Sequence, residues 1–417
     1  MKTKVTLVIL LALMLLVGCG QATTDKTVLT FWGHQNDAWA ASYREIADKY
    51  EVENPDIKIE FEFYPYDQFE SKVQTSLISK EGGADIYELW GGWAIDFAPT
   101  GSLEKMPTAF EEEIRKDSYP STYGALEHEG HLYGIPLEFN IENGGMLVNN
   151  ALLEAKSIAV PTTWADLKTA AVALTEKEGD LITIKGFDFV NWDSVPYLFT
   201  SMILSQGGSY QQEDGTFTFN TEEGRKAFSE LHSLVADLQV TNMEGLSGGG
   251  DMEGYQQLYS GRAAIVPRGV WTVAEGMHTF GLEHGKDFSY VSMPWFGAEP
   301  KFAAETGWSL AVNASSDKKE EALKFLEFFY KDENLLQHNI KSAQVPSKKS
   351  IAHDAKLLEE MPYVEPLVSV LDKAQFIGYF NTDVFKEAIN EVFQEYEAGH
   401  YGSVEDALKA IEAKLNK

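Results

Sequence analysis

Trp90 and Trp93 bracket Gly91-Gly92, and Trp32 leads into Gly33-His34-Gln35-Asn36-Asp37. A glycine lets backbone approach a ligand, and the neighbouring ring supplies a flat apolar face. His34, Gln35, Asn36 and Asp37 add hydrogen-bonding groups. This is binding chemistry, and bond-making chemistry has less support. The nine histidines are scattered, with no pair at zinc-like spacing backed by cysteine. The glycine-rich segments lack the Lys-Ser/Thr ending of a phosphate loop. Among 64 acidic side chains almost any two could be named a glycosidase pair, so their presence selects none. Cys19 is the single cysteine and closes the run Leu16-Val17-Gly18-Cys19. It has no partner for an internal disulfide, which leaves its thiol free for other chemistry.

The elements that position these residues follow an N-terminal leader. Lys2 and Lys4 precede an apolar run from Val5 to Val17, shorter than the roughly 20 residues that span a bilayer. That is the layout of a secretory signal peptide over residues 1–18. Residues 19–26 are mostly small and polar and read as a tether. No second long apolar segment follows. The chain has 417 residues, 44% hydrophobic and 12% aromatic, enough for two domains with real cores. Its net charge is −30, and removal of the leader leaves 32 basic against 64 acidic side chains. Such a surface repels nucleic acid and anionic lipid headgroups, and it disfavours a strongly anionic ligand.

Val28–Trp32 reads as a buried strand, and Tyr43, Ile46, Ala47 and Tyr50 mark a helix over 38–53. Ile57, Ile59, Phe61 and Phe63 alternate with charges, the period of a one-faced strand. A helix through Phe69, Val73, Leu77 and Ile78 and a strand over 85–90 complete β-α-β-α-β, the start of an open parallel sheet. Ligands of such sheets sit at the carboxyl ends of strands, where the two Trp/Gly loops fall. The alternation continues through the middle of the chain. Helix starts are expected at Thr163/Asp166, Asp317/Glu320 and Ser403. Residues 247–251 read as a loop. No linker divides the chain, so it is expected to cross between two lobes more than once.

Several passages resemble the bacterial extracellular solute-binding proteins of sugar ABC importers, in particular the maltose/maltodextrin-binding group. They are Phe31-Trp32-Gly33, Gly83-Ala84-Asp85-Ile86, Tyr133-Gly134-Ile135-Pro136, Pro161-Thr162-Thr163-Trp164, Gly261-Arg262-Ala263-Ala264-Ile265 and Gly269-Val270-Trp271. Val148 and Asn150 depart from the Tyr and Lys usual in the family's "YNK" passage. The resemblance implies a periplasmic-binding-protein-like α/β fold of two lobes joined by three crossovers around a ligand cleft. The N-lobe is expected over 27–140 and 292–331 and the C-lobe over 141–291 and 332–417. The crossovers are placed near 138–142, 290–294 and 330–333. Gly18-Cys19 after Leu-Val also resembles the lipobox of bacterial lipoproteins, which implies cleavage before Cys19 and its acylation.

The same resemblance implies a carbohydrate ligand held by ring stacking and hydroxyl hydrogen bonds. It assigns stacking to Trp271 and an aromatic contact to Tyr197. It assigns an acidic contact to Glu142 and a cleft-facing ring to Trp308. Trp90, Trp93, Trp32, His34, Asn36 and Asp37 join them from the strand-end loops. Trp192, Asp193 and Phe385 are weaker expectations, and Arg268 could serve a ligand carboxylate. The implied protein is a monomer on the outer face of the membrane, or in the periplasm, held there only by its lipid. It needs no cofactor or metal, has no catalytic residues, and delivers its ligand to ABC permease subunits. A cell-surface glycoside hydrolase and a sugar-sensing module remain as alternatives.

Overall fold

The computed structural model describes residues 26–79, 82–247 and 252–417. Cys19, the leader, the tether up to residue 25 and most of the expected loop at 247–251 lie outside them. In the first lobe β1 (Thr27–His34), α1 (Asp37–Glu53), β2 (Ile57–Tyr64), α2 (Tyr66–Ser79) and β3 (Ile86–Leu89) alternate as expected. β1 pairs in parallel with both β2 and β3. Asn36 starts α1 by accepting from Ala38 N at 3.1 Å and Trp39 N at 3.3 Å. The helix then buries Trp39, Tyr43, Ile46, Ala47 and Tyr50, one stripe at helical spacing. α3 (Gly91–Phe97) begins directly after β3, and β4 (Ile135–Pro136) closes this part of the chain.

The second lobe is built on β5 (Gly145–Asn149), α4 (Trp164–Leu174), α5 (Ser194–Ser205), β6 (Ile265–Pro267), α6 (Trp271–His278) and β7 (Phe288–Ser292). β5 lies between β6 and β7 and is antiparallel to both, so this three-stranded sheet does not repeat the parallel pairing of the first lobe's sheet. Thr163 caps α4 as expected, accepting from Asp166 N at 3.1 Å.

The chain returns through β8 (Phe302–Ala304), β9 (Ser309–Val312), α7 (Lys319–Phe329) and α8 (Asp332–Ser342). It ends with β10 (Ala374–Phe376), α9 (Thr382–Glu397) and α10 (Val404–Leu415). β9 inserts antiparallel between β3 and β4, giving the sheet order β2-β1-β3-β9-β4. Ser403 caps α10, but Asp317 does not cap α7, which starts at Lys319 without a side-chain cap.

Two of the expected crossing points need correction. β7 stays in the second sheet to Ser292, β8 still packs on α5 with Ala303 N donating to Ser201 Oγ at 3.0 Å, and β9 re-enters the first sheet at Ser309, so the second passage runs over 305–308. The expected boundary at 331/332 also fails. The break between α7 and α8 is a helix–helix turn, and α8 packs on α1 in the first lobe. His338 of α8 meets Trp39 edge-on at 4.9 Å and contacts Ser42 Oγ at 3.1 Å. The third passage therefore follows Ser342.

Each lobe has its own core. Leu29, Phe31, Ile86, Tyr87 and Leu310 centre the first, and Phe187, Phe199, Phe228 and Ile411 the second. A third cluster joins Phe139 and Ile141 of the first passage to Leu147, Phe288 and Leu367. Separate cores joined by thin passages favour relative motion of the lobes.

Candidate functional site

A cavity of about 480 Å³ lies between the lobes, within the range of small-molecule sites. His34 and Asn36 at the end of β1, Trp39 of α1, Tyr66 of α2 and Trp90 before α3 form one wall. Asp193, Tyr197, Glu253, Trp271 and Lys386 form the other. Residues 138–142 of the first passage, Trp308 of the second and Gln344 of the third close the base. A second groove of about 1050 Å³ shares Asn36, Trp39, Trp271 and Gln344 with it, so the cavity opens along that side.

Rings dominate the first wall. Trp308 stacks on His34 at 4.3 Å and 12°. Trp90, Trp39 and Tyr66 meet Trp308 near edge-on at 5.3, 6.1 and 6.1 Å. His34 Nδ1 lies 2.9 Å from Glu88 Oε2, which also accepts from His34 N at 2.8 Å. Burial alone would lower the His34 pKa, but the Glu88 carboxylate outweighs it and the pKa rises.

Charge gathers on the second wall. Asp193 accepts from Arg268 at 2.7 Å and from Lys386 at 3.2 Å. Burial would raise the Asp193 pKa, but these two cations hold it below the usual carboxylate value. Lys386 also lies 3.3 Å from Asp383 and 5.8 Å from the Tyr197 ring centroid. Tyr197 donates its hydroxyl proton to Glu305, which further accepts from Trp90 Nε1 and Thr382 Oγ1.

Two glutamates at the base each grip a backbone N–H beside a glycine. Glu142 Oε2 accepts from Gly269 N at 2.9 Å, and its Oε1 from Trp271 Nε1 at 2.8 Å. Glu138 Oε1 accepts from Trp308 N at 3.0 Å, and no other partner of its carboxylate is present among the described residues. A Cβ on Gly307 would come within 2.6 Å of that oxygen, and one on Gly269 within 2.6 Å of Glu142 Oε1. Burial raises the pKa of both glutamates, Glu138 to about 8. Asn140 Nδ2, between them, is buried with no hydrogen-bond partner among the described residues.

Of the residues expected from sequence, Trp271, Trp90, Tyr197, Trp308, Glu142, His34 and Asn36 come together around this cavity, as does the weaker expectation Asp193. Others do not. Trp32 is 8% exposed and packs edge-on against Tyr64 and Tyr87. Trp93 is buried behind the wall against Phe69, Tyr66 and Trp308. Asp37, in the first turn of α1, faces the outer groove. Trp192 is exposed and does not line the cavity. Phe385 is core, packed on Phe217, Phe219, Phe380 and Tyr210. Arg268 is already engaged by Asp193, Glu253 and Asn191, which leaves it no call for a ligand carboxylate.

Sequence reasoning missed Tyr66, Trp39, Glu138, Asn140, Glu253, Gln344 and Lys386. A signal for two of them was present. Glu138-Phe139-Asn140-Ile141-Glu142 alternates polar and apolar, the pattern of an extended segment with one polar face.

Residues 35–335 match the sequence profile of the family described as bacterial extracellular solute-binding protein. An arabinooligosaccharide-binding protein of Halalkalibacterium halodurans is 22% identical over 316 residues, 74% of this chain and 67% of its own. An uncharacterized lipoprotein of Streptomyces antibioticus, from the oleD 5′ region, is 24% identical over 374 residues, 86% of this chain and 79% of its own. The GacH receptor of Streptomyces glaucescens has the same fold, with a TM-score of 0.76 at 22% identity over 94% of this chain and 99% of that one.

Proposed function

The chain belongs to the bacterial extracellular solute-binding proteins, and from that premise we propose that its solute is an oligosaccharide, captured between the lobes for an ABC importer. As a member of that family it binds its solute and does not transform it. The observation that carries the sugar reading is the make-up of the cavity. Trp90, Trp308, Trp271, Tyr66 and Tyr197 line it with aromatic rings, and Glu138, Asn140, Glu142, Asp193 and Lys386 stand among them as acceptors and donors. Sugar C–H faces and hydroxyls require that combination. The outer groove beyond Trp271 gives a chain of several rings somewhere to continue. Relatives named for arabino-oligosaccharides and lactose support the ligand class.

Calorimetry against arabinotriose, lactose, maltotriose and mannotriose tests the reading. Saturable binding of one ligand per chain to at least one of them is expected, with no new reducing ends on incubation. Absence of binding across the panel overturns it.

In the same reading the protein is a monomer tethered through lipid on Cys19 and docks on permease subunits. The leader, the lone cysteine and the lipoprotein relative support the tether. Among the described residues no helix is long and apolar enough to cross a membrane. Fatty-acid labelling of the wild type, lost in Cys19→Ala, is the expected result; an unlabelled wild type overturns the anchor.

A further inference from the structure

Glu138 is the residue at which the three passages between the lobes meet. It belongs to the first. Its Oε1 accepts from Trp308 N of the second at 3.0 Å, while Leu137 N donates to Trp308 O at 3.0 Å. Its backbone bridges Pro346 of the third, where Phe139 N donates to Val345 O at 2.7 Å. The side chain is only 4% exposed, yet it lines the cavity. Its second oxygen has no partner among the described residues. Asn140, two residues on, lines the same cavity, and its Nδ2 is buried with no partner among the described residues. A buried donor left without a partner is costly, and beside an unpaired carboxyl oxygen at the cavity it marks where a ligand's polar groups belong.

We propose that Glu138 couples ligand capture to lobe closure: its second carboxyl oxygen exchanges a hydrogen bond with a ligand hydroxyl while its first holds the second passage and its backbone holds the third. The inference rests on the oligosaccharide reading. A ligand hydroxyl at this point touches one side chain and thereby restrains every connection that must bend when the lobes move. Closure stabilised in this way needs no contact between ligand and hinge backbone. Burial keeps Glu138 protonated near neutrality, so the second oxygen carries a hydrogen that it donates to the hydroxyl. Gly307 permits the arrangement, since any side chain there would collide with Oε1.

The test compares wild type, Glu138→Ala and Glu138→Gln at pH 6 with arabinotriose and maltotriose. It reads affinity by calorimetry and closure by the ligand-induced fall in radius of gyration. Glu138→Ala is expected to bind about tenfold or more weakly, the effect of losing a well-made hydrogen bond, and to lose the compaction at saturating ligand. Glu138→Gln, an isostere that keeps both the acceptor for Trp308 and a donor toward the ligand, is expected to restore both. If Glu138→Ala does not fold, Glu138→Asp replaces it, being one methylene too short to serve both contacts. Unchanged affinity and compaction in the short variant, even with lowered stability, would make Glu138 a structural residue and overturn the inference. Failure of Glu138→Gln to restore them overturns it as well. If the wild type binds no saccharide of the panel, the oligosaccharide reading falls and takes this inference with it.

Discussion

Trp271 and Glu142 are locked together: the indole Nε1 donates to Glu142 Oε1 at 2.8 Å, and the other oxygen of the same carboxylate holds Gly269 N at 2.9 Å. One side chain from the first passage thus sets both the loop that carries the ring and the plane of the ring. Arg268, with its guanidinium carbon 5.4 Å from the ring centroid, and Tyr255, edge-on at 5.2 Å, complete its support. Such pre-set aromatic surfaces bind without a large ordering cost.

Trp271→Ala should therefore weaken oligosaccharide binding by about 2 kcal/mol or more, roughly thirtyfold. The ring is half-buried, so its removal should cost less stability than the roughly 3–5 kcal/mol of a fully buried aromatic. Calorimetric affinity and a denaturant midpoint, measured on the same sample, separate the two effects. Intact affinity with a large drop in midpoint would remove the ring from the binding surface.

Trp32→Ala should show the opposite pattern. This indole packs against Tyr64 and Tyr87 and lies under Lys72 Nζ, 4.8 Å from its ring centroid, away from the cavity. Its loss should cost roughly 3–5 kcal/mol of stability and leave the affinity of the folded protein unchanged. A binding defect without a stability defect would contradict its placement.

Asn140→Ala should leave stability of the ligand-free protein unchanged or slightly higher, because it deletes a buried donor that has no partner. Ligand affinity should fall by about tenfold, the value of one hydrogen bond in a desolvated site. A marked loss of thermal stability would show that the amide serves the fold instead.

Stability should fall as pH rises from about 5 to about 8. Folded Glu138 keeps its proton up to about pH 8, whereas the unfolded chain releases it near the ordinary 4.5. Between those values the folded state binds more protons, so unfolding becomes easier with rising pH. His34, with its raised pKa, acts in the same direction: its contribution is complete below 6.5 and is lost as pH climbs through the folded value. Asp193 runs the other way, since its lowered pKa stabilises above the unfolded value and that contribution is lost in acid. Glu142 and Glu88 add to the field at Glu138. Urea midpoints at pH 5, 6.5 and 8 should show the decline in wild type and a flatter profile in Glu138→Gln. The same slope in both proteins would assign the decline to other groups.

The first lobe was readable in the chain because its signals are local. The alternation at Ile57–Phe63 and the stripe from Tyr43 to Tyr50 depend only on which residues share a face. The site was readable only in part, because there one residue of error changes the answer. On α9 a step of one turns the side chain by about 100°, so Phe385 points into the core while Lys386 reaches the cavity. Trp32 and Trp308 both adjoin a glycine, but only long-range packing puts one against Tyr64 and Tyr87 and the other at the cavity. The break at residues 330–333 has the look of a passage between lobes, and only the seating of α8 against α1 shows that it is not.

The crowding of Trp39, Trp90 and Trp93 around Trp308, with His34 stacked on it, has an optical consequence. Five of the nine indoles line the cavity or sit within one ring-to-ring step of it. Emission from this group will respond to displaced water and to any altered tilt of its members. Native fluorescence should thus shift when a sugar enters, and stopped-flow mixing can time arrival and departure without a dye.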